Sequence, residues 1–186
     1  MTEAPPLTQT PETGSAFARY LLLIRAADGL TLAQVCSLTS LEPTTIQNWI
    51  KRGFVPHPVS KKYRERHIAR IMLIASLREC MLIERVGALM TYINGNADDE
   101  ADDIISDVAL YDVFCRVVAD VEGCEPTREA IGERADKILD GHGLSSPDKE
   151  RLKQALVVMA TACIAARFKK EADRLYMDIF KEENHE

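Results

Sequence analysis

Between Leu30 and Phe54 the chain reads LTLAQVCSLTSLEPTTIQNWIKRGF, and no other stretch restricts the fold as much. It holds two helical segments, each too short to be stable alone in water, so tertiary packing must hold both. Thr31 and Gln34 form a capping box that opens a helix over Leu32–Leu38. Pro43 stands at the first position of the next helix, a favoured place for proline, and Gly53 stops it. Two helices that cross at a tight turn need small residues where they touch and apolar ones that pin the second on the first. Val35, Cys36 and Ser40 suit the crossing, and Leu41, Ile46 and Trp49 suit the anchoring. That leaves Thr44, Thr45, Gln47, Asn48, Lys51 and Arg52 facing outward. They are of the type a recognition helix presents to a DNA major groove, where Gln or Asn bonds adenine N6 and N7 in a bidentate manner.

The pattern beyond this stretch is helical almost throughout, with little strand-like alternation. A helix is expected over Ser15–Ala27, with Phe17, Tyr20, Leu21 and Ile24 on one face. The segment PHPVSKK is expected to be extended, because two prolines and the residues before them disfavour helix. Helices then follow over Glu65–Met81 and Ile83–Ile93, the latter stopped at Asn94-Gly95. NADDEADD is the natural boundary between halves. Past it, helices are expected over Val108–Val121, Thr127–Leu139 and Pro147–Glu183. The last has an inward stripe of Leu152, Leu156, Met159, Cys163 and Ala166, then Phe168, Ala172, Leu175 and Ile179 after a shift in spacing, which suits a long bundle helix as well as a coiled coil. Residues 1–14 read as a disordered arm rather than a secretory signal.

Charge is divided between the halves. Thr31–Gly95 carries nine Lys/Arg against four Asp/Glu, whereas Asn96–Glu186 carries twelve against twenty-two. A basic half joined to an acidic one is the asymmetry expected of a nucleic-acid reader attached to another module. Lys51, Arg52, Lys61, Lys62 and Arg64 would neutralise phosphates and set position. The five cysteines are odd in number and lack CxxC spacing, which argues for a reducing cytoplasm and against a disulfide framework or a zinc site. Cys115, Cys124 and Cys163 read as small core residues. The acidic run Asp98–Asp103 lacks calcium-loop spacing, so it reads as a solvated linker or as acid favouring the next helix start. His57, His67, His142 and His185 are scattered and near no cysteine in ligand spacing. No phosphate loop, nucleophile elbow or cofactor signature is present, so no enzyme, cofactor or metal is expected. No apolar run reaches the roughly 18 residues of a membrane span.

The stretch from Thr31 to about Met90 resembles the MerR family of regulators. Pro43, Thr45, Trp49, Lys51, Gly53, Phe54 and Pro56 stand where that family has proline, threonine, an aromatic, lysine, glycine, an apolar residue and proline. Tyr63 stands where it has the tyrosine opening the next helix, and Lys61 where it has a wing arginine. The departures are Gln47 and Asn48 in place of arginine and tyrosine, a short wing, and Met81 near a usual glycine. More closely, TTIQNWIKRGFV, KKY and YINGNADDEADD, within Leu30–Val118, look like a bacterial family of uncharacterised proteins with a MerR-like DNA-binding end.

The expected fold is therefore mainly α: a MerR-like winged helix-turn-helix over residues 15–95, then an acidic helical bundle over 96–186 for dimerisation or an effector. The expected function is sequence-specific binding of double-stranded DNA in transcriptional control, at the nucleoid in the cytoplasm. The recognition helix carries Thr44, Thr45, Gln47, Asn48, Lys51 and Arg52. The Val59–Arg64 wing carries Lys61, Lys62, Tyr63 and Arg64, with Tyr63 suited equally to phosphate contact and to packing. The resemblance implies a homodimer through the helix from Pro147. The alternative is a protein-interaction adaptor that keeps the helix-turn-helix shape.

Overall fold

A computed structural model describes residues 15–121 and 125–182 of the chain. The expected arm 1–14 and Cys124 lie outside the described residues. Eight α-helices follow in order among those described: α1 (Ser15–Ala26), α2 (Leu32–Thr39), α3 (Pro43–Lys51), α4 (Glu65–Leu77), α5 (Ile83–Asn94), α6 (Asp107–Val121), α7 (Arg128–Leu139) and α8 (Ser146–Glu182). The mainly helical expectation holds. Local chemistry explains most helix ends. The Thr31 hydroxyl accepts from the Gln34 N–H, while the Gln34 side chain accepts from the Thr31 N–H at 2.8 Å. Thr127 caps α7 through the Ala130 N–H at 3.1 Å.

Packing centres on α4, which is buried from His67 through Ala75 and again at Leu77. A helix apolar on nearly every side must be covered on every side. It packs on α6, α8, α5 and α1. The helix ends at Leu77 rather than Met81, because the chain turns over Arg78–Met81 to enter α5 from an extended Leu82. α6 packs in turn on α7 and α8, with Leu110, Phe114, Val117, Val118 and Val121 inward. Cys115 and Cys163 are buried in the core, as expected.

Two expectations need correcting. Asn96–Asp103 does not separate two cores, since one apolar cluster runs from Phe17 to Cys163 across it. The acidic residues themselves stay in solvent, with Asp98, Asp99, Glu100 and Asp102 exposed and Asp103 half-buried. Ala97 is buried, and the buried Asn94 side chain donates to the Ile105 carbonyl at 2.6 Å, which closes the loop. The second correction concerns α8, whose 37 residues span ~55 Å. Its stripe is buried from Leu152 to Ala166, but Phe168, Leu175 and Ile179 are more than half exposed and Ala172 is exposed too. The body of the protein ends before this helix does. No helix of the described residues is long and apolar enough to cross a membrane.

Candidate nucleic-acid interface

α3 is anchored through one face. Ile46, Trp49 and Ile50 are buried, and Val35 of α2 is buried with them in the same cluster. Three residues, Ser40–Glu42, join the two helices, with Ser40 in the left-handed region at φ +54°. The opposite face of α3 presents Thr44, Gln47, Asn48 and Lys51 as exposed side chains, whereas Thr45 is half-buried. Arg52 is exposed but committed: its guanidinium donates to Glu84 on α5 at 2.9 Å and lies over the Phe54 ring at 4.6 Å. That hydrogen bond holds the Glu84 carboxyl below the usual range.

After α3 the chain makes a minimal hairpin. Val59 and Lys62 form one antiparallel pair, with the Lys62 N–H donating to the Val59 carbonyl at 2.9 Å. Ser60 and Lys61 between them have φ of +53° and +61°. A two-residue turn with both residues left-handed matches the twist of a hairpin, yet it disfavours any side chain other than glycine, asparagine or aspartate. Lys61 is therefore held at the exposed tip in a strained conformation. Next, Tyr63 pairs with Leu30 through two backbone hydrogen bonds of 2.8 and 2.9 Å. Gly29 permits this approach: its φ is +93°, and a Cβ there would lie 3.1 Å from the Tyr63 carbonyl oxygen. One-pair bridges are all the β-structure among the described residues.

The remaining predicted residues divide accordingly. Lys62 is half-buried and donates to the Gly29 carbonyl at 3.2 Å. Arg64 pairs with Asp28 at 3.1 Å on the surface. Tyr63 is 4% exposed, with its ring edge-on to His67, so it packs rather than presenting itself to a phosphate. Burial also pushes its phenol above the usual range.

The base of the hairpin is clamped by groups that sequence reasoning passed over. The Arg64 N–H donates to His67 Nδ1 at 3.1 Å, which leaves Nε2 to donate to the His57 carbonyl at 3.2 Å. Burial holds His67 below the usual histidine value, keeping the ring neutral for this double duty. Asp98 of the acidic loop accepts from the His57 backbone N–H at 2.8 Å and meets its ring Nδ1 at 3.0 Å. The His57 hydrogen bonds lower the Asp98 carboxyl. Arg66 bonds Glu100 and donates to the Ala97 carbonyl at 2.8 Å. Asp103, beside Asp107, is pushed up to about 6 by burial and by that neighbour's charge. Deepest of all, Arg70 and Asp107 form an ion pair at 3.0 Å with both side chains at most 2% exposed. Two arginines four residues apart in a largely apolar helix were the one sequence signal for these contacts.

Comparison with known proteins adds a likeness but no activity. Residues 27–114 match the model of a domain of unknown function (DUF1836). That segment runs from before α2 to within α6, across the boundary expected at Asn96. The chain is also similar to the uncharacterized protein YkrK of Bacillus subtilis (strain 168), 25% identical over 167 residues that cover 80% of this chain and 69% of that protein. No solved structure matches. The likeness to an uncharacterised bacterial family is thus supported.

Proposed function

We propose that the chain is a sequence-specific DNA-binding regulator with a MerR-like winged helix-turn-helix, in which α3 enters the major groove and the hairpin tip rests on the phosphate backbone. The observation that carries this reading is the two-sided character of α3. Ile46, Trp49 and Ile50 fasten one face, while Gln47, Asn48 and Lys51 stand exposed on the other. Amide side chains on a rigid helix are suited to base edges, and a lysine beside them to a phosphate. Lys61 at the hairpin tip is a second phosphate ligand. Arg52, Lys62 and Arg64 contribute less, because each is already engaged within the protein.

The same reading includes a homodimer. From Phe168 onward, Phe168, Ala172, Leu175 and Ile179 recur at spacings of four, three and four on an exposed helix, which is the seam of a coiled coil. A module this small reads few base pairs, so two half-sites are the source of specificity.

The test is selection of duplexes from a random pool by purified protein at two salt concentrations. Enrichment of one motif at low salt, lost in Gln47→Ala/Asn48→Ala, supports the proposal. An unchanged motif in that variant would remove α3 from the reading role. A protein-interaction adaptor is the second reading, favoured by the apolar exposed end of α8. It predicts no enrichment, and a partner bound with little dependence on salt.

A further inference from the structure

Arg70 sits in the middle of α4 and is 1% exposed. Its Nε donates to the Phe54 carbonyl at 2.8 Å, and its Nη1 donates to Asp107 Oδ1 at 3.0 Å. The two acceptors belong to different parts of the fold. Phe54 ends the turn that closes α3, its own N–H donating to the Trp49 carbonyl at 2.8 Å. Asp107 is the first residue of α6, the helix on which α7 and α8 pack. Water has almost no access to this guanidinium, so neither bond is replaced by solvent when its acceptor moves. A shift of α6 therefore either drags the end of α3 or strands a buried charge.

We propose that Arg70 is a positioning residue through which the C-terminal helices set the pose of α3, so that their state regulates DNA binding. This inference rests on the reading of α3 as a recognition helix. A buried pair exchanged for apolar residues of similar size commonly leaves a fold as stable as before, whereas removing one partner alone is strongly destabilising. The exchange separates the two roles, because apolar replacements keep the packing but leave Phe54 without its donor.

The experiment compares wild type, Asp107→Asn and the double variant Arg70→Met/Asp107→Leu, each checked for helix content and unfolding in urea. Trp49, the single tryptophan, lies on α3 and reports its pose without DNA. In the double variant, acrylamide quenching of Trp49 rises at least twofold and affinity for the selected duplex falls at least tenfold, with stability retained. Asp107→Asn, which keeps an acceptor for Arg70, shows a smaller change in both. A double variant with wild-type quenching overturns the proposal, whatever DNA does. So does one that binds the duplex like wild type. If wild type selects no duplex while quenching still rises in the double variant, the DNA reading fails and the positioning role stands.

Discussion

Two glycines in the middle of helices should respond in opposite ways to the same substitution. Glycine costs a helix interior about 0.5–1 kcal/mol relative to alanine, so Gly→Ala stabilises wherever the added methyl fits. At Gly132 on α7 the nearest atom to an added Cβ is Val157 Cγ2 at 3.9 Å, an ordinary contact. Gly132→Ala is expected to stabilise by about 0.5–1 kcal/mol. At Gly87 on α5 the same Cβ would lie 2.3 Å from Phe54 Cε1 and 2.5 Å from Cδ1. Carbon atoms prefer about 3.5–4.0 Å, so the ring must retreat by roughly 1 Å or more. It has little freedom to do so. The Phe54 N–H and carbonyl are both hydrogen-bonded at 2.8 Å, and Arg52 lies over the ring. Overpacking of this kind costs about 1–3 kcal/mol. Set against the helix gain, Gly87→Ala is expected to destabilise by about 0.5–2 kcal/mol. Urea unfolding of both variants with a shared m value measures the difference, and melting points should separate by a few degrees at this chain length. If Gly87→Ala were as stable as wild type or more so, the account of Phe54 as wedged between α5, Arg52 and Arg70 would be wrong.

Other perturbations have equally definite outcomes. Lys61→Ala should lower the slope of log affinity against log salt by about 0.9, the value for one phosphate contact, while Arg52→Ala should change it less because Glu84 already holds that guanidinium; equal slopes for both would contradict the division made here. Asp103 keeps its proton to about pH 6 in the folded chain, whereas an unfolded carboxylate loses it near pH 4. The folded state binds more protons across that window, so the residue weakens the fold as pH rises from about 4 to 6, and the loss then stays constant at higher pH. Asp103→Asn should therefore match wild type near pH 4 and exceed it in stability at pH 7, and a constant difference between them would refute the assignment. Leu175→Glu/Ile179→Glu should yield a monomer by sedimentation velocity with unchanged urea stability at concentrations where wild type is a dimer; a wild-type monomer at micromolar concentration would remove the coiled-coil seam.

What the sequence determined by itself is the local part of this protein. The capping box of Thr31 and Gln34, the first-turn Pro43 and the stop at Gly95 act within a few residues, so helix order and most boundaries were readable. So was the two-faced pattern of α3, because a 3.6-residue period places Ile46 and Trp49 opposite Gln47, Asn48 and Lys51 wherever the helix docks, although Ile50 was missed as a third anchor. Tertiary structure alone decided what each charge meets. Asp98 and His57 are 41 residues apart, and Arg70 and Asp107 are 37 apart, distances at which no periodicity relates one residue to another. NADDEADD resembles a solvated linker because a run of carboxylates is normally best left in water. Asp98, Asp99, Glu100 and Asp102 do stay exposed, but His57 and Arg66 pin the run to the fold through Asp98, Glu100 and the Ala97 carbonyl. The end of α8 shows the converse. Its apolar residues continue past Ala166 after a shift in spacing, but burial depends on there being a second surface to pack against, and the other described helices offer none there.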